Sequence, residues 1–284
     1  MAAVNIFTNT NLFDKLANYL SYGFVRNALI VAVLVSICSA LIGVVLVLKR
    51  FSPLGDGLSH IAFGAVALAT SIGIWDIGIA IPATIIAAIL ILCKQQNRKI
   101  MGDATIAMLS VGALAIGYTA ISLGGATNLG GDVCTALFGS SEILSTSTGE
   151  IILVLGITLV LILLAAVFYY QIFAVTFDES YRRATGGKTE LYNVIFATVT
   201  AIVVVLGMKL AGALLISSLI VFPPMTAMRL SKSFRGVIVL SGVISAVCGA
   251  LGTLLSILID TPIGATVAAV DIIVFFFAFI FSKK

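Results

Sequence analysis

The chain has 284 residues, 61% of them hydrophobic and only 10% charged, with a formal net charge of +4. Soluble globular chains run nearer half apolar and about a quarter charged. The composition therefore leaves no room for a sizeable soluble domain, and so small a positive charge gives no argument for nucleic acid as a partner. About nine apolar runs of roughly 20 residues each predict an all-α, polytopic helical membrane protein.

Residues 1–23 form an amphipathic N-terminal segment. Phe7, Leu12, Phe13, Leu16, Tyr19 and Leu20 recur at helical spacing, and Asp14 and Lys15 interrupt what would be the apolar core of a signal peptide. Residues 24–284 form the transmembrane domain. The first span, about 24–48, stops at Lys49-Arg50. Ser52 then reads as an N-cap, with Pro53 in the first turn of the second span. That span fades at Trp75-Asp76, and the third covers about 77–93. The fourth, about 104–123, is followed by a Gly-rich segment ending at Asp132 and then by Leu137-Phe-Gly-Ser. The fifth span is about 151–173. The polar stretch 176–190 reads as a short amphipathic helix with a stop at Gly186-Gly187. The sixth span is about 191–208. The seventh, about 211–228, contains Pro223-Pro224, expected to break or kink its inner end. The eighth, about 237–259, is closed by the turn Asp260-Thr-Pro262, and the ninth ends before Lys283-Lys284. Cys38, Cys93, Cys134 and Cys248 have neither zinc-finger nor redox spacing and read as small apolar residues with reduced thiols.

All of the 16 basic residues except Lys15, Arg26 and Lys209 fall in alternate loops. The positive-inside rule makes those loops cytoplasmic. The N-terminus then faces outward, the C-terminus inward, and the 176–190 segment lies in the cytoplasm.

Asp56 and His60 stand four residues apart inside the second apolar run, and His60 is the only histidine. On a helix they share one face, about 6 Å apart along the axis. A carboxylate and an imidazole so placed suit one divalent cation, and an ionisable group in a span marks a substrate path by default. A buried ion pair or a helix–helix hydrogen bond is the plainer alternative. If the helix starts at Pro53, the pair lies only about one turn from its end, shallower than the midplane. Asp271, in the ninth span, is a second acid that should face a partner or a cavity. Gly186-Gly187-Lys188-Thr189 is not a phosphate loop, because Arg182 stands where such a loop needs its first glycine. With one histidine, a zinc-protease motif is also excluded.

Gly55-Asp56-Gly-Leu-Ser59-His60 resembles the second-helix motif of the permease subunits of bacterial zinc and manganese ABC importers, the ABC-3 family. Leu137-Phe-Gly-Ser, Thr176-Phe-Asp178-Glu179 with Gly186, the run from Met208-Lys209 through Gly212 and Pro223-Pro224 to Arg229, and Asp260-Thr-Pro262-Ile-Gly-Ala-Thr resemble further motifs of that family, in order. The resemblance implies a homodimeric pore in the bacterial cytoplasmic membrane. Its partners would be a second copy of the chain, two cytoplasmic ATPase subunits and an extracytoplasmic metal-binding protein, within the lipid bilayer. It implies no permanent cofactor and no enzyme activity in this chain, with ATP hydrolysed in the partner subunit. Asp56 and His60 match the intramembrane metal site. Asp178, Glu179, Arg182, Arg183, Gly186 and Gly187 match the coupling helix that docks on the ATPase. Asp132 lies near an acidic outer-gate position, whereas Asp271 matches no motif and stays a gate or path candidate. Asp260-Thr-Pro262 and Met208-Lys209 look more like the zinc branch than the manganese branch. A proton-coupled secondary transporter working through Asp271 and His60, and a non-transporting scaffold, are the rival classes.

Overall fold

A computed structural model describes residues 19, 21–73, 76–94, 102–123, 137–139, 148–187 and 189–281. The N-terminal amphipathic segment, apart from its last residues, lies outside them. Eleven helices are present among the described residues: α1 Gly23–Leu48, α2 Pro53–Ile72, α3 Asp76–Lys94, α4 Gly102–Leu123, α5 Thr148–Val167, α6 Tyr169–Phe177, α7 Glu179–Ala184, α8 Thr189–Ala211, α9 Ala213–Leu230, α10 Phe234–Ile259 and α11 Ile263–Phe281. Seven of these are long and apolar enough to cross a membrane; α2 is not among them, and α3 contributes only a shorter apolar stretch, Gly78–Leu92. The expected nine spans are thus not reached on that criterion. Asp56, His60 and a high content of glycine and serine lower the hydropathy of α2.

The apolar stripe of each helix decides its depth. In α1, 67% of the apolar window is buried, against 17% in α5. Helix α1 is therefore the centre of the bundle, packed by α10, α9, α5 and α8. Helix α5 turns Leu155, Leu159 and Leu163 outward, as a helix facing lipid tails should. Between helices, small polar groups supply hydrogen bonds where apolar attraction is weak. Ser245 Oγ donates to the Ser36 carbonyl across α10 and α1 at 2.7 Å, and Cys38 Sγ lies 3.1 Å from Thr158 Oγ1 across α1 and α5.

Three local expectations change. The fifth apolar run is two helices, interrupted at Phe168 (φ −96°, ψ 17°). Ser52 does not cap α2: its backbone is helical (φ −49°, ψ −42°) and its side chain accepts no cap bond. The α1–α2 turn is closed by backbone instead, with Phe51 N–H on the Leu46 carbonyl at 2.8 Å and Arg50 in the left-handed region at φ 62°. Helix α9 runs unbroken through Pro223 and Pro224. Pro224 cannot bond the Ile220 carbonyl four residues back, and Gly43 of α1 presses its backbone against that same carbonyl, where any β-carbon would collide. The neighbouring helix thus covers the defect the proline leaves.

Two sequence motifs that are far apart also meet a third at one end of the bundle. Gly139 follows Leu137-Phe138, Gly212 separates α8 from α9 at φ 90°, and Gly264 opens α11. A β-carbon on Gly139 would lie 2.6 Å from the Ala211 carbonyl oxygen, and one on Gly264 would lie 2.6 Å from the Phe138 carbonyl oxygen. The three segments touch backbone to backbone, which only glycine allows.

Candidate functional site

Helix α2 packs on α4, α3, α9 and α8, with α4 and α9 against its first turns. Its small residues make that fit. A β-carbon on Gly55 would lie 2.8 Å from Ile220 Cδ1 of α9, and one on Gly57 would lie 2.5 Å from Ile106 Cγ2 of α4. Farther along, Gly64 and Gly117 bring the α2 and α4 backbones together, as small residues do at close helix crossings. With both flanks taken up by neighbours, Asp56 projects into the remaining open sector. Its side chain is 58% exposed, whereas His60 is 20% exposed.

The pair meets as its spacing requires: His60 Nε2 lies 3.5 Å from Asp56 Oδ2. His60 Nδ1 is buried without a hydrogen-bond partner. Asp56 sits in the first turn of α2, where the helix dipole favours a carboxylate. The site is therefore near the helix end rather than at mid-span, as expected for a helix starting at Pro53. One carboxylate and one imidazole are borderline-hard donors that suit first-row divalent ions. Among the described residues no group of three or more His, Cys, Asp or Glu side chains comes together, so one chain offers two donors here.

Asp271 is in a different setting. It is 1% exposed on α11, which packs on α9 and α10. Neither carboxylate oxygen has a hydrogen-bond partner, and Ser218 and Cys248 are its polar neighbours. The structure does not join it to the Asp56–His60 pair. Asp132 lies outside the described residues.

Within the polar 176–190 stretch, Glu179–Ala184 form a short helix, α7, with no buried residue. Asp178 caps it, its Oδ1 accepting the Tyr181 N–H at 2.8 Å. Gly186 (φ 78°) ends it, with Gly187 N–H on the Arg182 carbonyl at 2.9 Å. Arg183 points to Glu190 at 3.6 Å, and Arg182 lies folded against Gly187. Glu179 is turned inward. Its Oε1 accepts from Asn193 Nδ2 at 2.9 Å, Lys49 Nζ donates to Asn193 Oδ1 at 2.8 Å, and Lys49 Nζ lies 3.8 Å from Glu179 Oε2. This three-residue clamp ties α7 to the end of α1 and the start of α8. Sequence reasoning missed it, because Lys49 reads as an ordinary loop charge; its side chain is only 9% exposed. Aromatic contacts reinforce the tie: Phe173 and Phe177 of α6 both pack on Phe234 of α10, ring centres 5.3 and 5.9 Å apart.

Comparison with known proteins places this architecture. The manganese transport system membrane protein MntC of Halalkalibacterium halodurans is 29% identical over 97% of this chain and 92% of its own length. The manganese import system permease protein ScaB of Streptococcus gordonii is 27% identical over 93% of each. Among solved structures, PsaBC of Streptococcus pneumoniae in complex with a Fab superposes with a TM-score of 0.82 at 26% identity, covering 94% of this chain and 95% of the other. The model of the ABC 3 transport family matches residues 21–282, and the chain therefore belongs to that family.

Proposed function

We infer that this chain is the membrane-spanning subunit of an ATP-driven importer that carries a divalent transition-metal ion, with Asp56 and His60 on the ion's path. The observation that carries this reading is the pair itself: a carboxylate and an imidazole that are the two positions of the 54–65 stretch of α2 not buried against its neighbours. Two donors are too few for a closed site, since zinc takes four. A second copy of the chain would supply the other pair. Two Asp and two His then hold an ion weakly enough, and with enough exposure, for it to leave again.

The names of the relatives support Mn²⁺ as the ion; one carboxylate and one imidazole suit either manganese or zinc. Zn²⁺ is the second reading, favoured by Asp260-Thr-Pro262 and Met208-Lys209. Two ATPase subunits would dock on α7 through its exposed face, where Asp178 caps the helix and Arg182, Arg183, Gly186 and Gly187 end it. Glu179 would transmit the motion inward through Lys49 and Asn193. An extracytoplasmic binding protein would deliver the ion to the opposite face, with the chain's N-terminus outside. Closure of the ATPase pair would switch the pore between two states, as alternating access requires.

The test is metal uptake into vesicles that hold the chain together with its ATPase. ATP-dependent uptake that is lost on substituting the ATPase's catalytic glutamate, and lost in Asp56→Ala, supports the reading. Uptake by the chain alone, driven by a pH gradient and indifferent to ATP, would replace it with the secondary transporter.

A further inference from the structure

A crevice of about 260 Å³ opens on the flank of the bundle beside the Lys49–Asn193–Glu179 clamp, between α1, α5, α6, α8 and α10. Its walls are almost wholly hydrocarbon, among them Leu161, Leu164, Phe168, Ile172, Phe196 and Ile238. Besides Tyr169 and Tyr192, its polar lining residues are Lys49, Asn193 and Thr176, and these three are already committed. Lys49 and Asn193 bond each other and Glu179, and Thr176 Oγ1 donates to the Ile172 carbonyl at 2.6 Å. The crevice thus offers a ligand few free hydrogen bonds. An apolar cavity of roughly 150 Å³ stays dry and takes up hydrocarbon; this one is larger, and it lies in a protein surrounded by lipid tails.

A cation stands at its edge. Tyr169 lines the crevice, and the Arg235 guanidinium lies over the Tyr169 ring at 4.9 Å and reaches the Tyr170 hydroxyl at 3.3 Å. Tyr170 and Arg235 are exposed, and among the described residues no carboxylate pairs with Arg235. Phe234, next to Arg235, is itself a wall residue. Arginine beside tyrosine at the end of a span is the setting of a lipid headgroup. We propose that this crevice binds one acyl chain of an anionic diacyl phospholipid, whose phosphate is held by Arg235 with the Tyr170 hydroxyl. Bound there, the lipid braces α6 against α8, next to the clamp that fastens α7. The site rests on none of the metal-site assignments and holds whichever ion is carried.

The test is the phospholipid retained by the full chain, purified with its partner subunits in mild detergent from membranes rich in phosphatidylglycerol. Lipid is counted per chain by extraction and mass spectrometry. Ala165→Trp fills the crevice and should release the retained phosphatidylglycerol. Arg235→Gln leaves the crevice intact and should lower the preference for phosphatidylglycerol over phosphatidylcholine about fivefold, the effect of one basic residue at a membrane surface. Retention unchanged in Ala165→Trp, or preference unchanged in Arg235→Gln, overturns the proposal. If Ala165→Trp does not fold, a phosphatidylglycerol with a photoreactive acyl chain decides on the wild type. Adducts on Leu164, Phe196 or Ile238 support the site, and adducts confined to α11 or other outward-facing helices overturn it.

Discussion

Two polar clusters lie in this apolar bundle, and they are built in opposite ways. Asp56 and His60 form an open pair: the carboxylate is more exposed than buried, the contact is 3.5 Å, and one imidazole nitrogen has no partner. Lys49, Asn193 and Glu179 form a closed one: Lys49 is 9% exposed, and the hydrogen bonds that the Asn193 side-chain amide accepts and donates are 2.8 and 2.9 Å. A buried polar network that is fully satisfied holds a fold in one arrangement. A pair left incomplete keeps capacity for a ligand. The difference separates the residues that would handle the ion from those that fasten α7 to α1 and α8.

Removing either member of the open pair is the most damaging change to transport and the least damaging to the fold. Asp56→Ala and His60→Ala should each lower ATP-driven uptake by about 100-fold or more, since even outer-shell partners of metal ligands are worth 10–100-fold. Co-purification with the ATPase should be unchanged in both, which pull-down measures. The closed cluster should give the reverse pattern. Glu179→Ala removes the carboxylate beside a largely buried ammonium and the acceptor of the Asn193 amide. Discounting for the 31% exposure of Glu179, it should cost about 2 kcal/mol of stability, read as a lower unfolding midpoint in detergent, with metal binding intact. A finer test returns to the open pair. Asp56→His replaces an oxygen donor by nitrogen and should move selectivity about tenfold from manganese toward zinc, measured by competition. Smallest of all, Arg183→Ala breaks an exposed pair with Glu190 and should change stability by no more than about 0.5 kcal/mol. A larger loss of ATP-driven uptake with no loss of stability would mark Arg183 as a docking contact.

The open pair was legible in the sequence, because its two members are one helical turn apart and geometry follows from spacing alone. The all-helical membrane architecture was legible too, because most of the long helices are continuous apolar runs; the count of nine was not, because α2 carries polar and small residues that lower its hydropathy. The closed cluster was not. Its members sit at 49, 179 and 193, and only the fold brings them together; hydropathy reads Lys49 as a charge in a loop, when its side chain is only 9% exposed. Asp271 was visible as an acid in a span, but its pocket between Ser218 and Cys248 depends on how α9, α10 and α11 pack. Pro223-Pro224 misled for a related reason. Proline chemistry predicts a break locally, and only the packed fold shows that Gly43 of another helix lies close over the carbonyl the proline leaves without a donor. Gly139, Gly212 and Gly264 are likewise three separate motifs in the chain and one junction in the fold.

The most direct test is equilibrium binding of Mn²⁺ and Zn²⁺ to the purified chain, comparing wild type with His60→Ala at matched folding. The account predicts about one ion for every two chains in the wild type, with affinity lost in His60→Ala. Equal affinity and stoichiometry in the two proteins would contradict it, and would leave Asp56 and His60 as a structural ion pair.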